Sequence, residues 1–336
     1  MSVNVKIKTW NSNTANKHRM IKTKAILTAI IVFMSVFPAA GESLNLYLQN
    51  DSKILKPNHN TDRHYTNGFK LAWVTKTPDW QLLDYFGGWA FASGAEPLRE
   101  SGVYIAQDLY TPDYIDMPNM RPTPDMKYNA WLYGGFFNVR SNSEKLEYIE
   151  LNMGVIGPSA LGESIQKPVH EITGSPKPIG WDEQLSDEFA INLDYYIRQK
   201  LTDAYELFGY DFDILADYGL TVGSVFRHAE AGMLMRLGII KPGELGPGRY
   251  RLPIDGTAAT SKSSSYLFGR ISGRGVEHNR FLTGLKEEPL TAQAQLGIVI
   301  NIKDFDIKYS QTFFTDQYEN QHAKDSIASL TVSWNF

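Results

Sequence analysis

The chain has 336 residues, with 33 Lys and Arg against 37 Asp and Glu, and no cysteine. The missing cysteine excludes disulfides, thiolate metal sites and a Cys nucleophile, and the net charge of −4 argues against a nucleic-acid partner, whose phosphates need a basic surface. Aromatics make up 12% and charged residues only 21%, too apolar a mixture for a disordered chain and enough length for a full core or barrel.

The charge is unevenly spread. Residues 1–41 hold Lys6, Lys8, Lys17, Arg19, Lys22 and Lys24 and no acid, so the other 295 residues carry 33 − 6 = 27 basic and 37 acidic groups, a net of −10. An uncharged apolar run from Ala25 to Phe37 follows, then Pro38-Ala39-Ala40-Gly41. A basic region, a short apolar core and a small-residue site, in that order, make a secretory signal. The run is shorter than the ~20 residues that cross a bilayer as a helix. The sequence therefore predicts a signal peptide over 1–41, cleaved near Ala40 or Gly41, with Met20 as an alternative start; the competing reading is a membrane-anchored N-terminus.

Beyond residue 41 no segment reaches ~18 consecutive apolar residues, but period-two alternation recurs. Leu44, Leu46 and Leu48 alternate with Asn45, Tyr47 and Gln49. The same holds for Phe69, Leu71 and Trp73; for Ile149, Leu151 and Met153; and for Ile191, Leu193, Tyr195 and Ile197. It returns at Tyr218–Val222, Ala294–Ile300 and Phe305–Tyr309, and the chain ends Leu330-Thr331-Val332-Ser333-Trp334-Asn335-Phe336. Such alternation marks strands with one apolar face. The opposite face is rich in Gly, Ser, Thr, Asn and Gln, which suits the polar interior of a transmembrane barrel better than the charged outside of a soluble sandwich. A terminal Phe on the last strand's apolar face agrees. The expectation for 42–336 is an all-β, antiparallel, outer-membrane β-barrel of about twelve strands in a Gram-negative cell. Lys241–Gly248 and Ser261–Ser265 read as turns or surface loops.

Two stretches break the alternation. Gln49-Asn50-Asp51-Ser52 closes the first strand, and Thr61-Asp62-Arg63-His64-Tyr65-Thr66-Asn67-Gly68 opens the second. A returning strand brings both to one rim. Carboxylate, amide and backbone oxygens suit a hard cation such as Ca²⁺, and Gly68 permits a tight backbone turn; a polar hairpin end capped by Asx turns is the plainer reading. The second stretch runs from Gly157 to Gly174. Leu161, Ile165, Val169 and Ile172 recur at helical spacing, with Ser159 as N-cap, Gly174 as terminator and Pro168 as an interruption. On that helix Gln166 and His170 share a face. An imidazole exchanges protons near neutral pH and can serve as a general base; the plainer reading is a loop His in water.

These stretches, in order, resemble the outer-membrane lipid A 3′-O-deacylase family, the LpxR-like proteins. The matching pieces are Leu48-Gln49-Asn50-Asp51, Asp62 to Gly68, Ile105-Ala106-Gln107-Asp108-Leu109-Tyr110-Thr111-Pro112, Gly154-Val155-Ile156-Gly157-Pro158 through Gln166 and His170 to Gly174, and Trp181-Asp182-Glu183-Gln184. The resemblance implies a twelve-stranded barrel whose site lies near the outer leaflet, and Ca²⁺-dependent hydrolysis of the ester that holds the 3′ acyloxyacyl group on the lipid A of lipopolysaccharide. It assigns catalytic roles to Asn50, Asp51, Thr66, Gln166 and His170. It also implies a Lys shortly after Pro112, where this chain has Asp113-Tyr114-Ile115-Asp116-Met117; Arg121 or Lys127 would have to substitute.

The mechanism expected is that His170 takes a proton from water, which attacks the acyl carbonyl. Ca²⁺ held near Asn50, Asp51 and the Thr66–Gly68 backbone would polarise that carbonyl. Gln166 would position the water or His170, Thr66 would bond substrate, and Asp51 has the alternative role of orienting His170. No Gly-x-Ser-x-Gly elbow is present. The rivals are a phospholipase-type barrel, whose Ser two residues from its His is absent around His170, a passive porin or adhesion barrel, and an inactive family member. The remaining histidines read as non-catalytic, with His64 the one adjoining the Thr66 cluster.

Overall fold

A computed structural model describes residues 43–51, 62–76, 87–91, 97–248 and 264–336. The signal-peptide expectation for 1–41 and most of the Ser261–Ser265 stretch lie outside the described residues.

Among these residues the chain forms thirteen strands and one α-helix. Strands β1 (Ser43–Asn50), β2 (His64–Lys76), β3 (Leu98–Thr111), β4 (Asn129–Ser141), β5 (Lys145–Ile156) and β6 (Glu188–Lys200) each pair antiparallel with the next. The series resumes with β8 (Tyr210–Gly223), β9 (Phe226–Ile239), β10 (Ser265–Asn279), β11 (Leu290–Ile302), β12 (Phe305–Phe314) and β13 (Ser326–Asn335). Two seams close the cylinder: β1 on β13, from Ser43↔Asn335 to Asn50↔Ala328, and β6 on β8, from Asn192↔Gly223 to Lys200↔Leu215. Twelve strands therefore form a closed antiparallel barrel, as the alternation predicts. The short β7 (Tyr205–Leu207) pairs only with the start of β8. No helix among the described residues is long and apolar enough to cross a membrane.

The burial pattern inverts that of a soluble protein. Along β1 the buried positions are Ser43, Asn45, Tyr47 and Gln49, while Leu48 on the other face is exposed. Leu193, Leu220, Leu267, Leu296 and Leu330 are likewise exposed on their strands. Polar groups thus line the interior and apolar ones the outside, the arrangement of a barrel solvated by lipid.

The interior is filled. Trp131 stacks on Tyr133 and Tyr110 on Phe281, each with centroids 3.8 Å apart. Toward the end where β1 begins and β13 ends, Arg198 donates to Asp217 at 2.7 Å and to the carbonyls of Leu245 and Pro247 at 2.8 and 2.9 Å. Arg236 pairs with Asp213 at 2.8 Å and with Glu244. Residues 244–247 are therefore buried within the barrel, where the Pro/Gly composition predicts a surface loop. The reason is electrostatic: buried guanidinium groups need acceptors, and the carbonyls of this turn supply them.

Candidate functional site on the outer wall

The site lies at the rim where β1 ends, β2 begins, and the β5–β6 connection leaves the barrel. That connection begins with a 3-10 turn, Pro158–Ala160, and continues as α1 (Gly162–Thr173). Leu161, in left-handed backbone, precedes the helix without a side-chain cap. Ser159, the expected cap, instead bonds Asp187 through its backbone N–H at 2.7 Å and its hydroxyl at 2.8 Å. Gly174, at φ 70°, ends the helix as expected.

The connection folds back on the outside of the barrel. On β3 and β4, Tyr104, Asp108, Trp131 and Tyr133 point inward, so Gln107, Leu109, Ala130 and Leu132 point outward by strand alternation. The connection lies on that outer face. Gln107 donates to the Ala160 carbonyl at 2.6 Å, and Trp181 and Ala160 cluster with Leu109, Ile115, Tyr128 and Ala130. Gly162 allows the close approach: a Cβ there would stand 2.6 Å from Ala130 Cβ and 2.7 Å from Trp181 Cζ3.

The buried face of α1 is Gly162, Gln166 and His170. Its apolar residues Ile165, Val169 and Ile172 are exposed, so helical periodicity marks the helix here while a polar face packs. His170 Nδ1 lies 2.6 Å from the Pro176 carbonyl. A carbonyl only accepts, so this contact places the ring proton on Nδ1 and leaves the Nε2 lone pair open. Nε2 stands 3.5 Å from Asp62 Oδ2. The carboxylate beside the imidazole is therefore Asp62. Asp51, the alternative partner considered from sequence, instead accepts from the Arg63 backbone N–H at 2.8 Å. Gln166 Oε1 accepts from Trp181 Nε1 at 2.9 Å, while its Nε2 is a buried donor without a partner.

The first-strand residues join the same group. Asn50 Nδ2 and the Asp51 N–H both donate to the Thr66 carbonyl, at 3.3 and 3.1 Å. Thr66 sits in a β-bulge where the β2–β3 register shifts between Tyr65 and Asn67, a device that re-aims a side chain. Its Oγ1 lies 2.7 Å from Thr111 Oγ1. Gly68 pairs in the sheet with Gln49 and Asp108; a Cβ there would run into the Tyr65 hydroxyl.

Burial first, and then the neighbouring Asp62 charge, push the Asp51 carboxyl well above the usual carboxylate range, against the Arg63 N–H. Burial also raises Asp62, and His170 opposes it. Carboxylates whose ionised form burial makes costly are suitable oxygen donors for a hard cation, whose charge offsets that cost. Among the described residues no group of three or more His, Asp or Glu side chains is poised to hold an ion, so such a site would be completed by amide or backbone oxygens or by substrate.

His64 has a different place. It is buried, with Nδ1 at 2.8 Å from Asp325 and Nε2 at 3.0 Å from the Tyr318 hydroxyl. Together with Arg63, whose Nε reaches Asp325 at 3.3 Å, it ties the start of β2 to the β12–β13 loop. Arg121, one of the two basic residues considered for the missing Lys, donates to the Ile179 carbonyl and covers the Tyr128 ring at 5.4 Å. Sequence reasoning assigned no role to Asp62 or Trp181; the one signal for either was its place in a stretch matching the family, since their partners are 108 and 15 residues away.

A family model described as Outer membrane protein LpxR matches residues 26–336. Among solved structures, LpxR from Salmonella typhimurium is 19% identical and superposes with a TM-score of 0.70, over 88% of this chain and 100% of that one. The beta domain of the Bordetella autotransporter BrkA is 11% identical with a TM-score of 0.43, over 89% of this chain and 100% of that one. No curated protein matches the chain significantly.

Proposed function

Because the chain belongs to the outer membrane protein LpxR family, we propose that it is a lipid A 3′-O-deacylase, a Ca²⁺-dependent carboxylic ester hydrolase of the Gram-negative outer membrane. The observation that carries this reading is the position of His170. Its Nε2 lies 3.5 Å from the Asp62 carboxylate, on a helix packed against the outer wall of the barrel, the side of the surrounding leaflet rather than of the filled interior. With short turns on the periplasmic side and the longer loops outside, as in outer-membrane barrels generally, the wall beside the β5–β6 connection would face the outer leaflet.

The chemistry follows from the proton positions. The Pro176 carbonyl holds the Nδ1 proton, so Nε2 accepts a proton from water as the water oxygen bonds to the acyl carbon. The carbonyl oxygen becomes an oxyanion, and the unpartnered Gln166 Nε2 is a donor for it. Trp181 holds Gln166 in that orientation. The bond from the acyl carbon to the sugar oxygen then breaks, His170 returns its proton to the departing alkoxide, and a free fatty acid and a sugar hydroxyl result. Asp62 Oδ2, 3.5 Å from Nε2, faces the ring atom that carries the proton between these steps. A bound Ca²⁺ would supply Lewis acidity toward the same oxygen, and the Asp51 and Asp62 carboxylates are the residues that would hold it.

The test is mass spectrometry of lipid A from cells expressing the chain. Wild type should remove the 3′ acyloxyacyl group, and EDTA should stop the reaction. His170→Ala and Asp51→Ala should lose at least about 10²-fold while migrating as folded barrels on unheated gels. Full activity in both variants would refute the assignment. The filled interior gives no support to the rival reading of a passive channel.

A further inference from the structure

Helix α1 has three faces, and the site uses one. At 3.6 residues per turn, Gly162, Gln166 and His170 form the face against the barrel, and all three are buried. On one flank of that face lie Leu161, Ile165, Val169 and Ile172; the last three are 37%, 49% and 86% exposed. On the other flank lie Glu163, Lys167 and Glu171. Lys167 pairs with Glu163, and both border a cleft that Lys177 and Asp182 also line. One apolar flank and one charged flank, with the third side resting on protein, is the pattern of a helix lying along a lipid–water boundary.

We infer that the Ile165–Val169–Ile172 flank is seated in the acyl-chain region of the surrounding leaflet. Two observations select lipid as the occupant. First, α1 lies on outward-facing wall residues: Gly162 packs on Ala130, and the preceding turn is bonded by Gln107. The helix thus stands on the same outer face as the lipid-facing belt. Second, that belt reaches this rim next to the helix, with Met153 near the end of β5 and Phe189 at the start of β6 both exposed. The seating would set His170, on the neighbouring face, at the depth where acyl chains meet their headgroup esters. The inference deepens the proposed function by naming what holds the catalytic helix at substrate depth, and it rests on that reading only for the site's orientation toward the outer leaflet.

The absence of cysteine makes the test direct. Val169→Cys and Ile172→Cys on the apolar flank, and Glu171→Cys on the charged flank, are labelled with an environment-sensitive fluorophore. The full chain is reconstituted in phosphatidylethanolamine–phosphatidylglycerol vesicles containing acyl-chain nitroxides. Heat-modifiable gel mobility verifies each folded barrel. Labels at 169 and 172 should be blue-shifted and quenched several-fold more by the acyl nitroxides than the label at 171, which aqueous iodide should quench instead. Equal responses at all three positions would overturn the inference. So would labels at 169 and 172 shielded from both quenchers, which would mean that protein, such as a second copy, covers the flank. As a second measure, Ile172→Asp should lower hydrolysis of vesicle-embedded lipid A about tenfold and leave detergent-dispersed lipid A unaffected; equal rates in both would count against the seating. Wild-type chain that shows acyl contact but no hydrolysis would uphold the seating and overturn the esterase reading.

Discussion

Gly162→Ala isolates the contact that holds α1 to the barrel. The added methyl would stand 2.6 Å from Ala130 Cβ and 2.7 Å from Trp181 Cζ3, whereas carbon atoms in contact sit at about 3.5–4.0 Å. The deficit is roughly 1 Å. Neither neighbour can absorb it easily, because Ala130 is on a barrel strand and Trp181 is packed on Tyr128 with centroids 4.9 Å apart and bonded to Gln166. The helix must therefore lift. Overpacking of this kind costs about 1–3 kcal/mol, which exceeds what Ala gains over Gly in helix propensity, about 1 kcal/mol at most. A misplacement of about 1 Å at a reacting group costs on the order of 10²-fold in rate, and Gln166 and His170 ride on the displaced segment. The assay is the deacylation rate on lipid A, beside the heat-modifiable mobility that reports the barrel. Expected is a fall of about 10²-fold with an intact barrel. Gly174→Ala is the control: it meets nothing within 4 Å but sits at φ 70°, so it should cost roughly 1 kcal/mol of local stability and leave the rate within a few-fold. A Gly162→Ala protein with wild-type rate would refute the argument that this contact sets the position of the helix.

Trp181→Phe keeps the ring packing but removes the N–H that Gln166 Oε1 accepts at 2.9 Å; the stranded acceptor should cost about 1–3 kcal/mol, read as faster proteolysis within 157–187, with a lower kcat. The pH dependence has a definite sign. Burial holds the Asp51 and Asp62 carboxyls above their unfolded range, so in chelated protein their contribution to rim stability is fully present below the unfolded pKa and is lost as pH rises through the raised one. EDTA should therefore loosen the rim more at about pH 8 than at about pH 5, measured by limited proteolysis, and Ca²⁺ should restore it; an EDTA effect that ignores pH would count against the carboxylate pair. Arg236→Met leaves Asp213 and Glu244 buried without their cation and should destabilise the barrel by about 3–5 kcal/mol in urea titration. The hydrolysis rate of the fraction that remains folded should be unchanged, because the outer-wall site does not touch this network.

The proposed catalytic arrangement sits on the outer wall of the barrel, and its polar groups face inward from a loop that wraps back over that wall. Two devices in the chain make this workable. The β-bulge at Thr66 turns one hydroxyl toward Thr111, and His64 anchors the strand start that carries Asp62 and Arg63 to Asp325 and Tyr318. The Asp62 carboxylate thereby rests on a braced segment, although it lies between strands.

The sequence alone determined the barrel. A strand's side chains alternate strictly, so a polar interior and a lipid-solvated exterior are written as period two, and Leu44 to Gln49 or Ala294 to Ile300 can be read locally. The spacing of Gln166 and His170 was also local, since one helical turn separates them. What only the tertiary structure decided were the relations between distant segments. That Asp62 rather than Asp51 faces His170 depends on how the β1–β2 and β5–β6 connections meet across 108 residues. That residues 244–247 lie inside the barrel depends on Arg198 and Arg236 seeking acceptors. That the polar face of α1 is the buried one depends on Trp181 and the outer wall supplying partners for Gln166 and His170. Composition and periodicity report what a residue prefers on average, whereas burial of a charge or an amide is settled by which partner the completed fold brings within reach.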